Sequence, residues 1–287
     1  MIYNNGNKVI QLGGVNQAWD ASQMVYQYYK PASGSPTPPT PVDWSSEYLT
    51  FEALESGTFR FSGNSVNYSL DSGATWTSLA SNTDTPTVNA GEKIMFKATL
   101  VPSYGIGRFS STGTFNAMGN PYSLLYGDNF GTVTDLTGKA YAFNYIFNVC
   151  TGLTSAENVS LPATTLADYC YCGMFYNCSS LTKAPELPAT ALTDSCYYSM
   201  FLGTALTTAP ELPAPTLTHQ CYFGMFNSCS NMNYIKMLAT DISATDCLHY
   251  WVNGVSGTGT FVKDASMITL PTGDSGIPNG WTVQDNV

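Results

Sequence analysis

Between Leu166 and Cys178 apolar side chains return every fourth residue, at Leu166, Cys170, Met174 and Cys178. On a helix such positions fall along one slowly drifting face, so the spacing predicts a short helix with that face buried. Beyond it, Leu181, Ala184 and Leu187 are spaced for a short extended segment, and Pro185 and Pro188 exclude a helix there. The unit then returns. Cys196, Met200 and Phe201 precede Pro210-Glu211-Leu212-Pro213, and Cys221, Met225, Phe226 and Cys229 follow. Weaker copies flank these, with Ile146, Phe147 and Cys150 before and Cys247 and Trp251 after. Cys170, Cys196, Cys221 and Cys247 lie 26, 25 and 26 residues apart, a period that predicts stacked repeats. One unit cannot cover its own apolar face, so neighbours must pack on each other.

Elsewhere the pattern changes. From Trp44 to about Asn120 apolar and polar residues alternate in Tyr48–Phe51, Thr58–Phe61, Val66–Leu70, Trp76–Leu79, Lys93–Lys97 and Arg108–Phe109, which predicts a small antiparallel β-sandwich. Residues 121–140 would cap the first repeat. Gly259–Lys263 and Pro278–Val283 predict a closing hairpin over the last one. Five prolines in residues 31–41 predict a semi-rigid spacer of about 30 Å, at roughly 3.1 Å per residue. Residues 1–30 hold Tyr3, Val9-Ile10-Gln11-Leu12, Trp19 and Met24–Tyr29 between glycines, as short strand or strand-helix pieces too few to hold a core alone. They read either as a strand docking on the next domain or as an attachment arm that folds against a partner.

The order of an extended Leu-Pro segment and then a helix ending in aromatic-x-x-Cys-x-x-Leu, carried by residues 141–252, resembles the leucine-rich repeats of the bacterial surface-antigen type. The departure is Cys-Tyr-x-x-Met-Phe where that family has an Ala-Phe pair. Pattern and resemblance together predict a multidomain, mainly β chain with an α/β solenoid: an arm (1–30), a Pro-rich linker (31–43), a β-sandwich (44–120), a solenoid with its N-terminal cap (121–252) and a C-terminal capping hairpin (253–287). Residues 1–30 also resemble the Lys-Val to Val-Tyr amino-terminal anchors of virion proteins from tailed phages of gut Bacteroidales. From Leu49 to the Ile277-Pro278-Asn279-Gly280-Trp281-Thr282-Val283 close, the chain is similar to a recurrent architecture of those bacteria and their phages. Ser69-Leu70-Asp71-Ser72-Gly73-Ala74-Thr75-Trp76 matches the Asp-box, a hairpin device frequent in sialidases and remote from their chemistry.

Composition narrows the partners. With 20 acidic and 10 basic residues among 287, the net charge is −10, and no Lys/Arg cluster is present, which argues against nucleic acid and anionic membranes. No stretch reaches the about 18 apolar residues of a membrane span, and Met1–Lys8 lacks the basic start and apolar run of a signal peptide. Eight cysteines would suggest disulfides or a metal. However, Ala142 stands in the Cys170 column and Thr204 in the Cys178 column, as a small buried slot tolerates. Free buried thiols are therefore the first reading and disulfides the second. Cys170-Tyr171-Cys172 offers two ligands, short of a zinc set even with His219 and His249.

No catalytic, cofactor or metal constellation emerges, since the chain has only Arg60 and Arg108 and no phosphate loop or His-Glu-x-x-His motif. Binding remains. On a helical wheel Cys172, Tyr198 and Phe223 fall opposite the cysteine column with Tyr176 beside them, so Tyr176, Tyr198 and Phe223 face a receptor unless the wheel fails and the rings are buried. Glu186 and Glu211 form a ladder that would bind a cation or sugar, or are plain solvated positions. Tyr3, Trp19, Tyr26 and Tyr28 would be the docking contacts of the arm. Taken with the resemblance to virion anchors, this implies a non-enzymatic phage virion protein, a head or tail fibre or appendage. Its arm would dock on capsid or tail proteins, its repeats would meet a host-surface glycan or protein, and a homotrimer is one possible assembly. The alternative is a bacterial surface adhesin.

Overall fold

The computed structural model describes residues 2–4, 7–12, 15–20, 25–28, 43–267 and 269–286. The chain divides into two compact units, Met1–Asp43 and Trp44–Val287. The predicted proline spacer, up to residue 42, lies outside the described residues. In the first unit Ile2–Asn4 (β1), Asn7–Leu12 (β2), Val15–Asp20 (β3) and Val25–Tyr28 (β4) form an antiparallel meander in chain order. The sequences joining the first three strands, Asn5-Gly6 and Gly13-Gly14, are dipeptides that favour two-residue hairpins. The expected arm is thus a small sheet, with Ile2 opposite Val9, Leu12 opposite Val15 and Trp19 opposite Tyr26.

In the second unit the alternating stretches become Leu49–Ala53 (β5), Phe59–Phe61 (β6), Val66–Ser69 (β7), Thr77–Leu79 (β8), Lys93–Lys97 (β9) and Phe109–Ser111 (β10), followed by Phe115–Gly119 (β11). Alternation puts one side inward: Phe59 and Phe61 are buried around exposed Arg60, and Ile94 and Phe96 lie between outward Lys93 and Lys97. β6 pairs with β10. The others, joined by Leu153–Val159 (β12), make a six-stranded sheet in the order β12-β11-β5-β9-β7-β8. Phe51 is the hub between the two sheets, with its ring 5.2 Å from Phe59, 5.0 Å from Phe96, 4.9 Å from Phe109 and 4.7 Å from Phe115.

After β7 the chain turns on the Asp-box. Asp71 accepts hydrogen bonds from the Thr75 amide at 2.9 Å, the Thr75 hydroxyl at 2.6 Å and the Ser69 hydroxyl at 2.7 Å. These bonds, with Thr75's the largest, hold its carboxyl down at about 2. Trp76 then packs on Tyr48 at 5.0 Å, under the Lys97 ammonium at 4.2 Å. Lys97 is itself paired with Asp128 at 2.7 Å.

The expected fold class is overturned. Among the described residues strand makes up 26% and helix 4%, and the single α-helix is Ser123–Tyr126 (α1). The helices of a leucine-rich-repeat-like solenoid are absent. Nor is 44–120 a closed antiparallel sandwich: β12, from the first repeat, pairs in parallel with β11. Its core runs on into the repeats through Phe147, 5.8 Å from Phe51 and 5.9 Å from Phe109. The capping hairpin is also absent. Tyr234–Met237 (β13), Thr260–Asp264 (β14) and Thr282–Asn286 (β15) form a parallel sheet, because residues 265–281 supply the crossover length that parallel pairing needs.

In place of each expected helix runs a chain of tight turns with a period of four. A left-handed residue sits at every fourth position: Tyr141, Tyr145 and Val149 in the first run, Tyr169, Gly173 and Asn177 in the second, Ser195, Ser199 and Gly203 in the third, and Gln220, Gly224 and Ser228 in the fourth. Each is the third residue of an i→i+3 turn, as where the Ile146 amide donates to the Phe143 carbonyl across Tyr145, the placement of a type II turn. The alternate amides point sideways. Those of Tyr141, Phe143, Tyr145, Phe147 and Val149 donate to the carbonyls of Asp168, Cys170, Cys172, Met174 and Tyr176 in the next repeat, at 2.7 to 3.1 Å. An α-helix spends its amides internally and would swing the apolar column by about 40° every four residues. The four-residue turn keeps it straight.

Two side chains of every four point inward, Cys170 with Tyr171 and Met174 with Phe175, and each stacks on its counterpart one repeat on. Phe147, Phe175, Phe201 and Phe226 form one ring column at 5.4, 5.5 and 5.8 Å. Phe143, Tyr171, Tyr197 and Tyr222 form another at 5.8, 5.7 and 6.1 Å. Tyr122, just before α1, closes one end by stacking on Phe143 at 5.2 Å and hydrogen-bonding its hydroxyl to that of Tyr171. At the other end the Trp251 indole donates to the Gly276 carbonyl at 2.9 Å, and that of Trp281 to the Ser256 carbonyl at 2.7 Å.

Two outcomes are expected. Phe201→Ala removes a ring that is 0% exposed between two others and should cost about 3–5 kcal/mol by urea unfolding; under about 1 kcal/mol would contradict the packing. For Asp71 the folded carboxyl is held below its unfolded value, so its bonds stabilise the fold above the usual carboxylate range and lose that effect as pH falls toward about 2. Asp71→Ala should therefore lower Tm at neutral pH, with the gap to wild type closing between about pH 4 and pH 2.

Candidate functional site

The turns that send two side chains inward send the others out, and the outward residues also fall into columns. Tyr198 and Phe223 stack face to face, with centroids 4.6 Å apart and planes 8° apart. His249 lies 4.9 Å beyond Phe223, and Tyr250 lies against His249 at 4.2 Å. Tyr176 meets Tyr145 edge-on at 5.7 Å. Three residues read from the sequence as receptor-facing, Tyr176, Tyr198 and Phe223, are thus half-buried members of an outer aromatic face. Cys172, read as their companion, is buried instead. The Tyr145 ring lies over Gly173, where a Cβ would collide with it. Gly173 is one position where the left-handed conformation and the lack of a side chain are both used, with φ at 56°.

Residues that the helical wheel missed complete the face. Tyr141 stacks on Tyr169 at 4.7 Å with planes 10° apart, and Tyr104, from the loop between β9 and β10, packs on Tyr141 at 5.3 Å. Tyr141 and Tyr169 stand at one place in successive repeats, a signal a period-four reading would have found. Tyr104 belongs to no repeat and had none.

Glu186 and Glu211 are exposed and are brought together. With Ala184, Pro185, Leu187, Pro188, Pro210 and Pro213 they line one groove of about 440 Å³. Glu211 is paired with Lys236 at 3.0 Å. Prolines supply no amide, so the ladder here rests on the residues between them: Ala209 and Leu212 donate to the Tyr234 and Lys236 carbonyls at 2.9 and 3.0 Å. Tyr3, Trp19, Tyr26 and Tyr28 lie on the strands of the first unit, Tyr3 opposite Lys8, Trp19 opposite Tyr26 and Tyr28 opposite Gln17.

All eight cysteines are buried free thiols. Cys178 and Cys229 donate to the carbonyls of Phe147 and Phe201 at 2.9 and 3.0 Å, and Thr204 fills the same column 3.3 Å from Cys229. Burial drives the thiols of Cys150, Cys170, Cys172 and Cys221 up to about 12, which keeps them protonated and unreactive. Among the described residues no three His, Cys, Asp or Glu side chains gather to hold a metal.

Neither protein families, nor curated proteins, nor solved structures give a match to this chain.

The cysteines supply a test of this packing. The native protein should resist alkylation at neutral pH, and all eight thiols should alkylate after denaturation without reductant, read by intact mass. Two or more disulfides in protein kept from air would refute it.

Proposed function

We propose that the chain is a non-enzymatic structural protein of a tailed-phage virion, a head or tail fibre or appendage. Its first unit docks on the particle and Trp44–Val287 meets the host surface. The observation that carries this is the division at Asp43 between a small β unit, whose sequence ends in a proline-rich stretch, and a large one. Proline-rich sequence of this kind is common in linkers that join separately folding modules. Strands β1 and β4 each pair on one side only among the described residues, and such edges accept a strand from another chain. Tyr3, Trp19, Tyr26 and Tyr28 supply the aromatic contacts that anchor protein interfaces. The resemblance of residues 1–30 to virion anchors supports the same docking.

On this reading the partners are capsid or tail proteins at one end and a host-surface glycan or protein at the other, and the chain resides in the virion. Mass spectrometry of purified particles should find it. A version beginning at Trp44 should fold, by circular dichroism and a cooperative melt, and yet be missing from particles. Incorporation of that truncated chain would defeat the docking role.

A further inference from the structure

The loop between β9 and β10 places Val101 and Tyr104 in solvent at 79% and 82% exposure. The loop is pinned: Asn144 Nδ2 donates to the Tyr104 carbonyl at 3.1 Å, and Gly105, at φ 118°, lies close against the Asn144 backbone. Tyr104 is therefore held out at the end of the Tyr141–Tyr169 stack. Asp168 and Asp194 stand beside Tyr141 and Tyr169 in the neighbouring repeat, since their backbone carbonyls accept the Tyr141 and Tyr169 amides, each at 3.1 Å. Both carboxylates are exposed, and neither joins an ion pair among the described residues. The nearby Lys139 ammonium lies over the Tyr126 ring at 5.3 Å.

We infer that Tyr104, Tyr141, Tyr169, Asp168 and Asp194 form a binding site for a neutral oligosaccharide. Tyr141 and Tyr169 cover each other's faces and so offer hydroxyl edges, whereas Tyr104 offers an open ring face. One open aromatic face takes the C–H side of a sugar ring, and the row of hydroxyls and carboxylates beside it accepts and donates hydrogen bonds to sugar hydroxyls, strengthened where the acceptor is charged. A polyanion is disfavoured by the carboxylates and by the net charge of −10. A basic peptide could stack a cation on the Tyr104 face, but its cations only donate, whereas the row of tyrosine hydroxyls both donates and accepts, which suits sugar hydroxyls. The inference rests on the reading of Trp44–Val287 as the surface-binding unit and names its ligand class.

The full chain is titrated with hexasaccharides of glucose, mannose, galactose and xylose, with heparin and a poly-arginine peptide as charged probes, by calorimetry and two-dimensional NMR. Saturable binding of at least one neutral hexasaccharide is expected. Affinity should fall about tenfold or more in both Tyr104→Ala and Asp168→Asn, whose melting temperatures should match wild type, and should be unchanged in the exposed Leu54→Ala. The inference is overturned if none of the four sugars binds up to millimolar concentration, if binding survives Tyr104→Ala, or if only a charged probe binds. Sugar binding by a chain absent from particles would defeat the virion reading and leave this site standing. Presence in particles without sugar binding would do the reverse.

Discussion

One backbone constraint governs the larger unit: every fourth residue of each turn run must be left-handed so that alternate amides point at the next repeat. Tyr145, Gly173, Ser199 and Gly224 stand at one such place, and their amides donate to the carbonyls of Cys172, Tyr198, Phe223 and His249. Residues other than glycine resist this conformation, and β-branched Val149 at φ 58° stores about 1–3 kcal/mol. That cost is recovered only when the neighbouring repeat is in place to accept the bond. No repeat can hold its shape alone, so strain and cooperativity have a common origin.

Side-chain packing follows from the same geometry. Because the turn closes on a whole number of residues, every inward position repeats in register, and rings such as Phe175 and Phe201 lie within 1° of parallel. The columns start on the β-sheet core through Phe147 and Tyr122 and finish under Trp251 and Trp281. The core is therefore one body from Leu49 to Trp281. Small side chains such as Cys170 and Cys196 fill the slots beside the rings, and their chemistry is suppressed by the burial that makes them useful as packing.

Much of this was legible in the sequence. Alternation located β5 to β10, the cysteine interval located the repeats, and the Ala142 and Thr204 replacements pointed to packed thiols. The spacing of Leu166, Cys170, Met174 and Cys178 also fits a helix, and periodicity alone could not separate 3.6 from 4.0 over three intervals. The discriminating sign was the polar or glycine residue recurring four apart, as at Ser195, Ser199 and Gly203, which suits a left-handed backbone and not a helix interior. β12 escaped notice because Ser155, Glu157 and Asn158 break its alternation, and its place in the sheet is set by β11. The outer face was only partly foreseen. The wheel found Tyr198 and Phe223, while Tyr104 reaches the face through a tertiary contact.

The sideways amides also give the stack a sense of direction. Each run donates forward to the run that follows and accepts from the run before, so peptide dipoles in the ladder point one way and do not cancel. A fifth and last run, with Asp246, Tyr250 and Gly254 left-handed, is left with outward amides, met by the Asp274 carbonyl at Val252 and by the Ser275 hydroxyl at Tyr250. The first run is left with outward carbonyls, and the Ile146 carbonyl is met by the amide of Phe109. The two ends are complementary in polarity, like the poles of a magnet, so neither closing segment could serve at the other's end.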